Sequence, residues 1–78
     1  MNILFENITR LHTTPLGEMR IKRNLGLNDC DPVNVIKNLI MNPDATIERI
    51  GKNYYIRSGH CRITVNARSF TIITAHKI

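Results

Sequence analysis

An α+β fold, with three N-terminal helices packed on a four-stranded antiparallel β-meander, is what this sequence predicts, on three observations. Apolar residues recur at helical spacing up to about residue 42 and at every second position from Ala45 onward. Thr14-Pro15 and Asp31-Pro32 read as helix starts, and Asn42-Pro43 as a helix stop. Gly51-Lys52, Ser58-Gly59 and Arg68-Ser69 divide the second half into four short runs rich in β-branched and aromatic residues. A run of helices followed by a run of strands indicates α+β rather than alternating βαβ units.

Each element has its own local reason. Ile3, Leu4, Ile8 and Leu11 recur at helical spacing and place a first helix over roughly 2–12. Thr14 can cap a second helix with Pro15 in its first turn; Leu16, Met19 and Ile21 carry it to about Asn24, and Gly26 supplies a left-handed stop. Val33, Val35, Ile36, Leu39 and Ile40 make a third helix after Asp31-Pro32, which ends before Pro43. The strands are then 45–50, 53–58, 61–67 and 70–77.

The chain has 78 residues, room for one domain over 1–78, with helices in about 2–42 and the sheet in about 45–77. A domain this short buries only roughly 60% of its unfolded surface, so every strongly apolar run is expected in the core. No apolar run reaches the roughly 20 residues of a membrane span. Glu6 and Asn7 directly follow the apolar Met1–Phe5, which speaks against a secretory h-region. The expectation is a cytoplasmic protein with no membrane contact, in which Cys30 and Cys61 are free thiols. No CxxC or HxxxH spacing suggests a zinc site, and no cofactor is implied.

The net charge is +5, and all of it lies in the second half. Residues 1–44 carry five basic and five acidic side chains; residues 45–78 carry Arg49, Lys52, Arg57, Arg62, Arg68 and Lys77 against Glu48 alone. A one-sided basic field suits a polyanionic partner, RNA before others. Arg20, Lys22 and Arg23 form a smaller basic cluster in the second helix. The long 25–31 connection and the apolar third helix argue against a helix-turn-helix reading of it.

Alternation sets Cys61, Ile63 and Val65 on one face of the third strand and His60, Arg62, Thr64 and Asn66 on the other. In the last strand, Phe70, Ile72, Thr74 and His76 oppose Thr71, Ile73, Ala75 and Lys77. A three-residue loop at 67–69 pairs Arg62 with Thr74 and His60 with His76; a two-residue loop at 68–69 flips the strand. The odd loop is preferred because it gathers His60, Arg62, Asn66, Thr74 and His76, at the expense of leaving Phe70 and Ile72 beside them. Such an apolar strip would suit a base or a protein partner.

His60 and His76 are candidate acid and base for metal-independent RNA cleavage, since imidazole titrates near neutral pH. Arg62 is a candidate phosphate grip. Thr64, Asn66 and Thr74 offer hydrogen bonds, and either Tyr54 or Tyr55, on opposite faces, can stack on a base. Arg57, Arg68, Lys77, Tyr55 and Asn66 complete the expected nucleic-acid-binding set. Against these stand plainer roles: surface histidines at strand ends, solvated arginines, Tyr54 in the core, and a buried Cys61. His12, at a helix end, reads as structural.

Three runs then become familiar: Phe5 to Leu27, with His12-Thr13-Thr14 and Arg20-Ile21-Lys22; Ile47 to Tyr55; and Cys61 to Lys77. They resemble a family of small bacterial and phage proteins, number 3781 in the domain-of-unknown-function series, which carries no established activity. The last hairpin, Arg62 to Asn66 and Ile72 to His76, is similar to the closing hairpin of the barnase/colicin/RelE-like ribonuclease toxins. That likeness implies N-terminal helices on an antiparallel sheet and points to His60, Arg62, Thr74 and His76 as the RNA-cleaving groups. The hairpin lacks the acidic partner such enzymes carry, since Glu48 is the sole acid after Asp44.

The expectation is therefore a small basic domain, a toxin or phage effector, that binds or cleaves RNA through its C-terminal sheet. The alternative is a non-enzymatic module that engages an antitoxin or a host or defence protein through the same face. Either can be a monomer or a dimer through an edge strand.

Overall fold

The two proline-led helices form where their start signals stand. The structure, a computed structural model, describes residues 3–28 and 30–78. Met1, Asn2 and Asp29, and with them the expected start of the first helix, lie outside the described residues. Helix α2 spans Pro15–Leu25: the Thr14 hydroxyl accepts the Gly17 N–H at 3.0 Å, and Gly26 turns left-handed at φ 68°. The Leu27 N–H then reaches back to the Lys22 carbonyl at 2.8 Å, closing the helix end. Helix α3 spans Pro32–Met41, and the Asp31 carboxylate accepts the Val33 N–H at 3.1 Å.

The first helix is shorter than its apolar spacing suggests. Helix α1 covers Ile3–Glu6, and a separate 3₁₀ turn covers Ile8–Arg10. Asn7, at φ −112° and ψ 20°, has left helical geometry. The break still buries Leu4 and Leu11, so two short pieces do the packing of one long helix.

Strands β1 (Thr46–Ile50), β2 (Asn53–Ser58), β3 (Cys61–Asn66) and β4 (Ile72–Lys77) pair antiparallel in sequence order. Gly51 and Gly59 take positive φ at the first position of two-residue turns, which matches the strand twist and fixes both registers. The chain is thus α+β, with helices preceding a four-stranded antiparallel sheet. Helix α2 packs on β4 and α3 on β2. Between the layers lie Ile21 and Leu25 of α2, Ile36 and Ile40 of α3, and Tyr54, Ile56, Ile63 and Val65 of the sheet. Among the described residues no helix is long and apolar enough to cross a membrane.

The third connection departs from both expected loops. Asn66 N–H donates to the Thr71 carbonyl at 2.9 Å, so the loop is four residues long, 67–70. The Asn66 side-chain oxygen holds it by accepting the Arg68 and Ser69 N–H groups, each at 2.9 Å. Phe70 closes it at φ 59°, left-handed backbone that an aromatic residue rarely adopts. Val65 then pairs with Ile72 and Thr64 with Thr74, which leaves Ile73 as the extra residue of a β-bulge.

That bulge corrects the expected faces of β4. Strict alternation puts Phe70 and Ile72 on the polar face with Thr74 and His76. The extra residue lets the strand reverse its phase, so Phe70 (4% exposed) and Ile72 (2%) enter the core with Ala75, while Ile73 (48%) points out. The apolar strip expected to meet a base or a protein is core. The register changes as well: Arg62 pairs with His76, not Thr74, and the His60 carbonyl accepts from Ile78 N–H at 2.7 Å, so His60 does not pair with His76. Cys61, expected to be buried, is half-buried at the edge of the core.

Candidate nucleic-acid interface

Antiparallel register turns the sheet face opposite the helices into ordered rows. One row runs Thr46, Arg57, Arg62, His76 across the four strands. The next runs Glu48, Tyr55, Thr64, Thr74. A third begins with Ile50, Asn53 and Asn66. The first row is fully exposed, and Tyr55 presents its ring to solvent beside it. The Asn53 amide donates to the Tyr55 hydroxyl at 3.3 Å, which orients the phenol.

The surface is dished rather than flat. Thr46, Glu48, Tyr55, Arg57, Arg62 and Thr64 line an open depression of about 760 Å³. His60, in the β2–β3 turn, lines an adjoining depression with Asp44, Thr46, Arg57 and Ile78. The expected cluster is therefore divided. Arg62, Thr74 and His76 share the exposed face with Arg57 and Tyr55. His60 sits past the end of that face, beside Arg57. Lys77 follows Cys61 on the opposite side of the strand pair, and Arg68 lies exposed in the 67–70 loop. Tyr54 packs in the core, with Arg49 over its ring at 5.5 Å.

The electrostatics of the first row are unusual for a resting sheet. Directly opposed side chains of like charge repel. Arg57 stands directly across β2 and β3 from Arg62, with His76 next in line. Glu48 is the nearest acid in the pairing, one row away across from Tyr55, and among the described residues no carboxylate pairs with either arginine.

A second polar cluster was not singled out by the sequence. His12 bridges in parallel to Thr71, its N–H donating to the Phe70 carbonyl at 3.2 Å and its carbonyl accepting the Ile72 N–H at 2.8 Å. Its ring contacts the Arg10 carbonyl through Nδ1 at 2.8 Å and Thr71 Oγ1 through Nε2 at 3.1 Å. Thr71 Oγ1 in turn meets Ser69 Oγ at 2.7 Å, and Ser69 Oγ meets Asn66 Oδ1 at 3.2 Å. His12 and Thr71 are 59 residues apart in the chain, so no local spacing in the sequence announces their contact.

The sequence profile of one family, described as "Protein of unknown function (DUF3781)", matches residues 5–76. No curated protein matches the chain, and no solved structure matches its fold. The expected likeness to ribonuclease toxins is not among these findings.

Proposed function

Since this chain belongs to the DUF3781 family, whose description names no activity, we propose from the sheet itself that its open face binds single-stranded RNA. The observation that carries the reading is the opposed pair Arg57 and Arg62, with His76 next in line and, among the described residues, no carboxylate paired to either arginine. Two mutually repelling cations are a poor resting arrangement and a good cradle for phosphate, which relieves the repulsion as it binds.

Tyr55 supports a single strand over a duplex. Its exposed ring lies one row from the arginines, where a base attached to a held phosphate can stack. Paired bases inside a helix are not free to do this. Thr64 and Thr74, facing each other across β3 and β4, offer hydroxyls to base edges and to the 2′-OH that separates RNA from DNA. The register favours binding over cleavage, because Arg62 rather than His60 stands across from His76.

Fluorescence anisotropy with a labelled single-stranded RNA, run beside the same sequence as DNA and as duplex, tests the proposal. Two arginine contacts predict a slope of about −1.4 for log K against log salt. Arg57→Thr/Arg62→Thr should remove most of the affinity and flatten the slope to about zero. Equal binding by wild type and double variant refutes the site; a preference for duplex refutes the stacking role of Tyr55.

A further inference from the structure

The His12, Thr71, Ser69 and Asn66 cluster is a continuous proton path. A carbonyl can only accept, so the bond to the Arg10 oxygen places a hydrogen on His12 Nδ1. In the neutral ring, Nε2 is then an acceptor aimed at Thr71 Oγ1. Thr71 donates to it, and Ser69 donates to Thr71. When Nε2 carries a proton, the two bonds made by Thr71 reverse: His12 donates to Thr71 and Thr71 to Ser69, while Asn66 Oδ1, an amide oxygen, can only accept from Ser69. A proton can therefore pass from Ser69 through Thr71 to His12, which leaves the Ser69 oxygen accepting from the Thr71 hydroxyl.

We propose that Ser69 is a nucleophile activated through Thr71 by His12, acting on phosphoesters at the far end of the same sheet face. A base held by a third group and joined to a hydroxyl is the arrangement that nucleophilic catalysis needs. Here the backbone carbonyl of Arg10 orients the imidazole. Phe70, between the two hydroxyl residues, closes the 67–70 loop in left-handed backbone, and the closed loop brings Ser69 Oγ to 2.7 Å from Thr71 Oγ1.

The register places this site on the RNA-binding face. Thr71 pairs with Asn66, which continues the Ile50, Asn53, Asn66 row, and His12 extends it by one more chain. Arg62 and Asn66 are four positions apart along β3, about 13 Å at strand spacing. The choice of a phosphoester as substrate rests on the RNA reading; the activation of Ser69 does not. In the step, Ser69 Oγ bonds to phosphorus as its proton passes through Thr71 to His12 Nε2. The P–O bond to the leaving group breaks, and the leaving oxygen takes a proton from the Thr71 hydroxyl, which His12 Nε2 reprotonates. Water then attacks phosphorus and gives a proton through Thr71 to His12; the bond from phosphorus to Ser69 Oγ breaks, and Ser69 takes that proton back through Thr71.

A fluorophosphonate tests the nucleophile alone, since its P–F bond breaks with fluoride leaving and needs no grip from Arg57 or Arg62. Mass spectrometry should find one adduct on wild type, mapped to Ser69 and absent from Ser69→Ala. His12→Gln and Thr71→Val should each slow labelling by about a hundredfold or more, the scale of a lost general base. Thr71→Val keeps a β-branched residue in the bridge, so it breaks the path with little change in fold. No adduct on folded wild type, an adduct on another residue, or equal rates in wild type and Thr71→Val overturns the proposal. Labelling of Ser69 in Arg57→Thr/Arg62→Thr at the wild-type rate supports it even where RNA binding fails.

Discussion

Arg62 stands directly across from His76 on the exposed sheet face, and it does so because Ile73 is left out of the ladder. Without that extra residue, the strand that buries Ile72 would bury Thr74 and His76 as well. The bulge reconciles two demands on one short strand: core residues at 72 and 75, and a polar pair at 74 and 76.

Neighbouring isoleucines should therefore respond in opposite ways. Ile72→Ala removes a buried side chain and should destabilise by about 2–5 kcal/mol. Ile73→Ala, at an exposed bulge, should change stability by about 0.5 kcal/mol or less. Urea titrations of the two variants measure this; a larger loss at Ile73 would mean that the strand alternates without a bulge.

Arg57 and Arg62 set stability against binding. Replacing either with Thr, a good strand residue, removes a like-charge pair and should raise stability by about 0.2–1 kcal/mol. The same change should weaken RNA binding. Added sulfate should stabilise the wild type more than Arg62→Thr, because the anion screens a repulsion that only the wild type has. Thermal melts in matched salts read this out, and equal shifts would show that the arginines do not repel.

Ser58 carries a penalty that nothing among the described residues offsets. Its hydroxyl is buried, the residue is 3% exposed, and no described group bonds to it. Desolvating an unpaired hydroxyl costs about 1–3 kcal/mol, so Ser58→Ala should stabilise the protein rather than destabilise it. A lower unfolding midpoint for Ser58→Ala would reveal a partner for that hydroxyl.

Gly17 should defy the usual helix ranking. Glycine to alanine within a helix ordinarily gains about 1 kcal/mol. At Gly17 a methyl group would collide with Thr13 Oγ1, which is anchored to the Ile72 carbonyl at 3.3 Å. Gly17→Ala should therefore destabilise by about 1–3 kcal/mol, and Thr13→Ala should recover part of the loss. Additive losses in the double variant would rule out the collision.

Sequence reasoning reached the elements whose causes are local. Thr14-Pro15, Asp31-Pro32 and Gly26 act within one helical turn, and Gly51 and Gly59 act within one hairpin, so those boundaries were legible. The inward set Ile63 and Val65 followed from alternation alone. The break at Asn7 was hidden because Leu4, Ile8 and Leu11 have helical spacing whether or not the backbone between them is helical. The last hairpin was hidden for a stronger reason: its length depends on a left-handed Phe70, which an aromatic residue does not signal, and the Asn66 cap marks a turn without setting its length. Candidate residues Arg57, Tyr55, Arg62, Thr74 and His76 were found from charge and alternation. The contact of His12 with Thr71 depends on tertiary placement across most of the chain, and composition has no trace of it.

Backbone amide shifts recorded while single-stranded RNA is titrated into the labelled protein test the central claim most directly. The account predicts that the largest changes fall on Tyr55, Arg57, Arg62, Thr64, Thr74 and His76, with α2 and α3 nearly unmoved. Changes centred on Arg20 and Arg23 of α2, or none at saturating RNA, would contradict it.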